Sequence, residues 1–372
     1  MMMNDRMIYV HIPFCDSKCY YCNFCSFVSN DIVKKKYFEK LIKEIEHNSN
    51  KNVKISSIYI GGGTPSCVDE KFIGEILQQI KKSFILKSNA EITIELNPCS
   101  TNIKKLKYYK EIGINRVSFG IQSLNNKSLK LIGRKHNSKQ AKMAIKIAKK
   151  CGFDNISVDV LIGIPKQNFL KLKTTIKKLI KLNVKHLSCY MLINEPNTKL
   201  TKMINQKKIS VPSEDKCVIF YNKLFKYLKS KKIFRYEISN FCKKGYECIH
   251  NIGYWTLKEY YGFGVGAHSF ISNQRYSNTE NIFDYINCDY NCEKENLSDR
   301  EKIEEFIMLG LRTKYGINIL DLKKMGFDIT KEKKDDISFL INNKFITQKD
   351  DVIKICENKY GVANQIILKL LP

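Results

Sequence analysis

The first two thirds of the chain alternate short β-branched runs with longer amphipathic stretches, and this rhythm constrains the fold most. Apolar residues at helical spacing predict helices that cover a sheet, whereas short runs rich in isoleucine and valine predict buried strands. The predicted strands are 55–60, 91–96, 116–121, 156–162 and 186–192, and the predicted helices are one that begins at Asp31, 70–85, 103–112, 139–150 and 170–182. About six such units favour a parallel (β/α) barrel, either closed or open.

The remaining third of the chain has a different character. Residues 236–298 are rich in aromatic residues and glycine, and the chain from residue 299 onward reads as charged helices with a short strand-like run at 352–355. We therefore divide the chain into a barrel core (1–235), an extension (236–298) and a C-terminal domain (299–372). The predicted fold class is α/β, a partial parallel barrel with a small helical, winged-helix-like C-terminal domain.

Four of the fourteen cysteines crowd into one short segment, as Cys15, Cys19, Cys22 and Cys25. Three thiolates at Cys-x3-Cys-x2-Cys spacing can hold a [4Fe–4S] cluster and leave its fourth iron open for a ligand. A zinc site is the alternative, with Cys25 or His11 as the fourth ligand, and a redox Cys-x2-Cys pair is another. The isolated cysteines, for example Cys151, read as ordinary small residues.

Other residues suited to binding fall where the predicted strands end. The run Gly61-Gly62-Gly63 follows the strand at 55–60, and Glu95, Gln122 and Asp159 lie in or just after later strands. Parallel barrels carry their chemistry at the carboxyl ends of the strands. Glycines allow a ligand to approach the backbone, and carboxylates inside apolar strands require a partner. These residues therefore predict a ligand site beside the cysteines, at the edge of the sheet where the strands end.

The cysteine motif, with Tyr21 just before its last cysteine, resembles the signature of the radical S-adenosylmethionine (radical SAM) superfamily. The resemblance implies that Cys15, Cys19 and Cys22 hold the cluster, and that S-adenosylmethionine binds the open iron. It also implies that one set of residues holds this cofactor: Tyr9, Tyr21, Gly62, Gly63, Thr64, Glu95, Gln122, Arg134 and Asp159. The planar guanidinium of Arg134 suits a carboxylate, although a solvated helix-end charge is the alternative interpretation.

Several further segments narrow the resemblance to proteins similar to oxygen-independent coproporphyrinogen III oxidase. They are His11-Ile12-Pro13-Phe14-Cys15, Glu195-Pro196-x-Thr198, 236–241 and His250-Asn-x2-Tyr-Trp255. The oxidase has a fourth cysteine at the position where this chain has Phe24. The oxidase also has a long segment ahead of the cysteine loop, whereas here only Met1 to Tyr9 precede the segment that contains His11. Both departures point to the heme-chaperone subfamily, with coproporphyrinogen oxidation as the alternative activity and productive cleavage of S-adenosylmethionine left open.

The resemblance also implies a heme contact at His250. Imidazole can be an axial ligand of heme iron, and Tyr254 and Trp255 could pack against the macrocycle. Cys248 and His268 are alternative ligands. The structural alternative is that Trp255 anchors the core and His250 caps a helix.

The net charge of +27 raises the question of an anionic partner. The lysines are spread along the chain without a nucleic-acid module, so we expect no nucleic acid, although a basic zinc protein that binds nucleic acid is an alternative. The expected partners are heme, an acceptor protein and a protein that reduces the cluster, with peripheral membrane contact possible. No signal peptide or long apolar run is evident, which predicts a cytoplasmic protein.

Overall fold

A twelve-stranded sheet forms the centre of the computed structural model, which describes residues 5–287 and 292–372. The elements of the first part, in chain order, are β1 (Asp5–Ile12), α1 (Asp31–His47), β2 (Lys54–Gly62), α2 (Glu70–Ser83), β3 (Ile85–Leu96), α3 (Ile103–Glu111), β4 (Arg116–Gln122), α4 (Asn126–Leu131), α5 (Ser138–Lys150), β5 (Asn155–Ile162), α6 (Phe169–Lys181), β6 (His186–Met191), α7 (Lys199–Asn205) and α8 (Glu214–Ser230). The alternation predicted from the sequence is confirmed.

Strands β1 to β6 are parallel and adjacent in chain order, with helices in each connection. The barrel stays open, because β1 and β6 pair with later strands of the chain instead of with each other. The predicted partial parallel barrel is therefore correct.

The later elements extend this sheet and then form a separate small sheet. They are β7 (Phe234–Arg235), β8 (Asn240–Cys242), α9 (Ile249–Trp255), β9 (Tyr260–Phe263), β10 (His268–Ile271), β11 (Gln274–Asn278), α10 (Ile282–Asn287), β12 (Cys292–Asn296), α11 (Asp299–Gly310), β13 (Ile317–Asn318), α12 (Ile319–Lys324), α13 (Ile329–Glu332), α14 (Lys334–Asn342), β14 (Ile346–Lys349), β15 (Val352–Ile355) and α15 (Ala363–Leu370). Strand β9 pairs in parallel with β1, and β10 to β12 continue antiparallel. The C-terminal helices surround the small sheet β13-β15-β14, as expected for a winged-helix-like part.

The two faces of the barrel strands differ in chemistry. Outward side chains such as Ile58, Val117 and Val158 are fully buried in the main hydrophobic core. The inner face is polar: Tyr59 donates a hydrogen bond to Glu95 (Oη to Oε1, 2.8 Å), for example. Buried polar groups require partners, so the interior of the barrel is held together by hydrogen bonds.

One boundary prediction was wrong. The helix predicted at 70–85 ends at Ser83, and β3 already begins at Ile85. Ile85 and Leu86 pair with Lys54 and Ile55 of β2, so strand pairing determines the conformation of this apolar run. The sequence pattern predicted only the second half of β3.

Membrane-spanning helices are absent from residues 5–287 and 292–372, since no helix there is both long and apolar enough.

Candidate functional site

The cysteine loop follows β1 and is tied to the barrel by backbone hydrogen bonds. Cys15 N–H donates to Phe27 O at 3.0 Å, and Tyr20 N–H donates to Ile132 O at 3.1 Å. The Tyr20 carbonyl accepts from Leu200 N–H at 2.7 Å. The loop that carries the three predicted cluster ligands is therefore fixed to two other segments at the carboxyl ends of the strands.

The three thiols of this loop lie close enough to influence one another. Burial raises the pKa of the Cys15 thiol, and the charges of Cys22 and Cys19 raise it further. Burial also raises the pKa of the Cys22 thiol, with Cys19 again contributing. Positively charged iron is the kind of partner that lowers the pKa of such thiols and holds them as thiolates.

Three thiols on one loop are the donor set of a [4Fe–4S] cluster with one open iron. Within residues 5–287 and 292–372, no three His, Cys, Asp or Glu side chains are grouped as ligands of a single metal ion. A [4Fe–4S] cluster spreads its thiolates over separate irons, so they lie farther apart than the ligands of one ion.

Both candidates for a fourth zinc ligand have other partners. His11 hydrogen-bonds through Nδ1 with Tyr9 Oη (2.9 Å) and through Nε2 with Cys25 O (2.8 Å). The Cys25 thiol donates to Glu280 O at 3.6 Å, and burial raises its pKa to about 11. To bind a metal ion, Cys25 would have to give up this hydrogen bond, and His11 would have to give up one of its two.

The glycine run passes directly beside the cysteine loop. Gly63 N–H donates to Ile12 O and Thr64 N–H donates to Phe14 O, each at 2.8 Å. A Cβ on Gly63 would lie 2.7 Å from Phe14 O and 3.1 Å from Cys15 Sγ, so only glycine fits. Thr64 Oγ1 shares a 3.3 Å hydrogen bond with Cys15 Sγ. Gly62, with φ of +111°, adopts a conformation that favours glycine.

Arg134 connects the cysteine loop to β4 through hydrogen bonds to both. Its Nη1 donates to Cys19 Sγ at 3.5 Å, and its Nη2 donates to the carbonyl of Gly120. Its Nε is buried and has no hydrogen-bond partner, which leaves a donor for a ligand. A surface pocket opens here, lined by Asp16, Ser17, Cys19, Thr64, Asn97, Cys99, Gly133, Arg134 and Lys135. The structure thus brings Cys19, Thr64 and Arg134 to one pocket.

Two carboxyl groups lie inside the barrel, near one another. Burial raises the pKa of Glu95 to about 7, and repulsion from Asp159 contributes. Burial also raises the pKa of Asp159 to about 6, against hydrogen bonds from Ser188 and Ser118. A cationic or hydroxyl-bearing ligand would stabilise the charged forms of both carboxyl groups.

Gln122 ends β4 in a strained conformation, with φ of +62°. Its side-chain Oε1 is buried without a hydrogen-bond partner. The preceding carbonyl, Ile121 O, hydrogen-bonds with His136 Nε2 at 3.1 Å. Sequence reasoning missed His136, and its only signal was its position two residues after Arg134. Backbone strain in a residue with an orphaned acceptor is typical of a binding position.

The two tyrosines predicted to hold the cofactor lie in different segments, Tyr9 in β1 and Tyr21 in the cysteine loop. Tyr9 is in β1, with its ring stacked 6.4 Å (centroid to centroid) from Tyr59. Tyr21 packs against Ile132, and the neighbouring charge of Arg134 opposes the rise in the pKa of Tyr21 that burial causes.

His250 lies in α9 and is buried with 1% of its surface exposed. Its ring lies 5.2 Å (centroid to centroid) from that of Tyr59, the residue that contacts Tyr9 and Glu95. Its Nδ1 hydrogen-bonds with Ser57 Oγ (2.9 Å) and its Nε2 with Tyr254 Oη (3.1 Å). Burial, assisted by the charge of Arg116, lowers the pKa of His250 to about 3. The imidazole is therefore neutral, and protein groups occupy both nitrogens.

The two alternative heme ligands differ in accessibility. Cys248 is fully buried, and its thiol donates to Glu91 Oε1 at 3.3 Å. His268 is exposed on β10. Of these two residues, only His268 is accessible to a bulky ligand without a rearrangement.

A partial parallel barrel with a three-cysteine loop and a glycine run at the same edge defines a radical SAM protein. The model of the Radical SAM superfamily matches residues 9–179. The structure of coproporphyrinogen III oxidase (HemN) from Escherichia coli superimposes with a TM-score of 0.85 over 99% of this chain and 90% of that chain. Because the two are only 20% identical, this similarity establishes the fold alone.

The curated relatives identify the family. The heme chaperone HemW of Lactococcus lactis subsp. lactis is 32% identical over 375 residues, covering 100% of this chain and 98% of that protein. The heme chaperone HemW of Buchnera aphidicola subsp. Acyrthosiphon pisum is 39% identical over 312 residues, or 81% of each protein. The chain belongs to the HemW family of the radical SAM superfamily. Its cofactors include those of the superfamily, a [4Fe–4S] cluster and S-adenosylmethionine.

Proposed function

We propose that this chain is a heme chaperone that carries the cluster and S-adenosylmethionine, binds heme and transfers heme to an acceptor protein. The observation that carries this proposal is the similarity to a curated heme chaperone over the whole chain. The replacement of a fourth loop cysteine by Phe24 supports it further.

Cys15, Cys19 and Cys22 are the proposed cluster ligands. The mutual influence of their thiols on pKa supports a shared site. When bound, the cluster supplies an open iron for the amino and carboxylate groups of S-adenosylmethionine, together with an electron. The protein contributes position and burial: the loop is anchored at Cys15 and Tyr20, and Thr64 contacts the Cys15 thiol.

The proposed contacts of S-adenosylmethionine surround this loop. Arg134 would pair with the methionine carboxylate, because a buried guanidinium with an unpaired Nε can donate to it. Glu95 and Asp159 would accept from ammonium or ribose hydroxyl groups. The remaining proposed contacts are Tyr9, Tyr21, Gly62, Gly63, Thr64 and Gln122.

His250 is the proposed heme contact, and its burial implies a conformational change. Iron coordination through Nε2 requires the hydrogen bond with Tyr254 to break, and coordination through Nδ1 requires loss of the Ser57 bond. A change at α9 is therefore part of the proposal. His268, already exposed, is the alternative site.

The reducing protein, the cellular location and a membrane contact are proposals as well. The cluster requires a reducing protein, and we propose a cytoplasmic location because the thiols of the loop must stay reduced. A peripheral contact with an anionic membrane stays a prediction.

Anaerobic reconstitution with iron and sulfide tests the proposal. We expect a cluster spectrum that is lost in Cys19→Ala and kept in Cys151→Ala, an isolated cysteine that serves as the control. Zinc without iron and acid-labile sulfide would instead support the zinc alternative. Retention of a full cluster in Cys19→Ala would refute the ligand assignment.

The reconstituted protein is then given heme, and separately coproporphyrinogen III with S-adenosylmethionine and a reductant. Stoichiometric heme binding, followed by loss of that heme to an added apo-hemoprotein, supports the chaperone. Conversion of coproporphyrinogen to protoporphyrinogen would make the chain an oxidase, and its fold is compatible with either result.

A further inference from the structure

Three large apolar side chains lie exposed immediately after the cysteine loop. Phe24, Val28 and Ile32 expose 69%, 69% and 70% of their surfaces, although all three occur within nine residues of sequence. Single exposed apolar residues are ordinary, but clustered ones mark an interaction site.

Basic residues border these side chains. Lys18 Nζ donates to the carbonyl of Phe24 at 3.2 Å, which places an ammonium group at this position. Lys35 and Lys36 are exposed in the first turns of α1. We name the surface formed by Phe24, Val28, Ile32, Lys18, Lys35 and Lys36 the Phe24 surface.

The charge balance of this segment is positive even when its acids are counted. Residues 16–36 contain four lysines and two aspartates, Asp16 and Asp31, and one acid from elsewhere in the chain, the exposed Glu280, lies beside Cys25. Asp31 is paired with Lys34 at 3.1 Å, so its charge is locally compensated. An acidic partner therefore matches the Phe24 surface better than a basic one does.

The Phe24 surface begins two residues after a proposed cluster ligand, Cys22. Consecutive Cα atoms are about 3.8 Å apart, so the Cα atoms of Cys22 and Phe24 lie no more than about 7.6 Å apart. Lys18 lies within the cysteine loop itself, between Cys15 and Cys19, so the basic border reaches that loop. A protein bound here would stand closer to the cluster than one bound to the C-terminal domain.

Resting on the proposed function, we propose that the Phe24 surface docks an acidic one-electron carrier protein that reduces the cluster. The apolar centre supplies contact area, and the lysine border attracts and orients the partner. In the complex, one electron leaves the reduced carrier, which is oxidised, and enters the cluster, which becomes reduced by one electron.

A membrane explains this surface less well. Membrane-surface helices present a continuous apolar stripe. In α1 the exposed residues after Ile32 are polar: Lys35, Lys36, Glu39, Lys43, Glu46 and His47. The exposed apolar area is thus local, as in a protein interface with a polar rim.

The test uses the full reconstituted protein and an acidic flavodoxin as the probe carrier. The first variant changes Phe24, Val28 and Ile32 to serine, and Leu368→Ser in α15 is a control that alters a residue with similar exposure, 68%. We expect flavodoxin affinity at low salt to fall roughly tenfold in the triple variant and to stay unchanged in the control. Stopped-flow reduction of the cluster by flavodoxin should slow, while reduction by dithionite should not.

A second variant separates docking from damage to the loop. This variant combines Lys35→Glu and Lys36→Glu, two changes in α1 outside the cysteine loop. The control combines Lys334→Glu and Lys344→Glu, which make the same change of charge in the C-terminal part. We expect only the α1 pair to weaken flavodoxin binding and to reduce its salt dependence. The cluster spectrum and heme titration should match the wild type, so failure of docking is distinguishable from failure of the chaperone assignment.

Three outcomes would overturn the proposal. The first is unchanged flavodoxin affinity in both variants, with the cluster intact. The second is loss of binding to vesicles of phosphatidylserine and phosphatidylcholine without loss of flavodoxin binding. The third is that the variants lose binding of heme or of an acceptor protein while they keep their affinity for flavodoxin.

Discussion

His136 holds the strand end that carries Gln122: its Nε2 hydrogen-bonds with the carbonyl of Ile121 at 3.1 Å, inside the protein. Burial, together with the charge of Arg134, lowers the pKa of His136 to about 4. The imidazole is therefore neutral at pH 7, with its proton on Nε2 to donate to this carbonyl. The next residue, Gln122, has φ of +62°, so the hydrogen bond fixes a strained peptide at the proposed cofactor site.

We predict that His136→Ala weakens binding of S-adenosylmethionine about tenfold and lowers the free energy of unfolding by about 1 kcal/mol. The variant loses one of the two hydrogen bonds that Ile121 O accepts, the other coming from Ser123 N–H at 2.7 Å, and this loss lets Gln122 relax. Calorimetric titration and urea unfolding measure the two effects. His136→Gln, which keeps a donor, should restore part of the affinity. A purely structural role would lower stability and leave the affinity unchanged.

Cys25→Ala should keep the full cluster spectrum after reconstitution, whereas Cys22→Ala should lose it. The two thiols are three residues apart, but the Cys25 thiol donates to Glu280 O and stands outside the Cys-x3-Cys-x2-Cys motif. Iron and sulfide analysis of the two variants makes the comparison. Equal loss of iron from both would show that Cys25 also serves the cluster.

Binding of S-adenosylmethionine should strengthen as the pH rises toward 8. Glu95 has a pKa of about 7 without the cofactor, raised by burial and then by Asp159. An ammonium group prefers the carboxylate, so below pH 7 the affinity should fall by up to about tenfold per pH unit. Glu95→Gln should bind weakly with a flat pH profile, and Glu46→Gln on α1 should match the wild type. A wild-type profile that is flat between pH 6 and 8 would contradict this role.

A second buried acid, Glu237, gives a stability prediction. Burial raises the pKa of Glu237 from 4.5 to about 7. Between these values the folded state binds more protons than the unfolded state, so this group lowers stability as the pH rises from about 4.5 to about 7. The shift of about 2.5 units corresponds to about 3 kcal/mol.

Glu237→Gln should remove this loss of stability between about pH 4.5 and 7. The free energy of unfolding of the variant should therefore rise relative to that of the wild type as the pH increases through this range. Urea unfolding at several pH values measures it. Glu357→Gln, at an exposed carboxylate, is the matched control and should leave the pH dependence unchanged.

The parallel barrel could be predicted because its signal is periodic. Strands such as 156–162 consist mostly of apolar residues, and the helices between them carry apolar residues at helical spacing. Each strand and each helix can therefore be predicted from its own segment of the sequence. Strands β9 to β12 lack such a pattern. They are short and include polar residues such as Gln274 and Lys294, and the pairing of β9 with β1 depends on a distant part of the chain.

The candidate site divides in the same way. The cysteine spacing and the glycine run are contiguous in sequence and were visible there. The contacts of Arg134 with Gly120 and of His136 with Ile121 join the segment between α4 and α5 to strand β4, and no local pattern encodes them. The sequence left His250 open between a heme contact and a helix cap, because the partner that pairs with its Nδ1, Ser57, lies on a distant strand, β2.

Tyr254→Phe tests whether His250 binds heme, because the Tyr254 hydroxyl occupies His250 Nε2 at 3.1 Å. Heme iron and this hydroxyl would compete for the same nitrogen. Removing a hydrogen bond worth about 1 kcal/mol from the heme-free state should therefore tighten heme binding several-fold. Ser57→Ala frees Nδ1 instead and serves as the comparison, while His250→Ala should abolish the axial-ligand signature in the heme spectrum. If Tyr254→Phe leaves heme affinity unchanged and His268→Ala removes the signature, the exposed histidine of β10 is the ligand, and α9 is a structural element that closes the polar interior of the barrel.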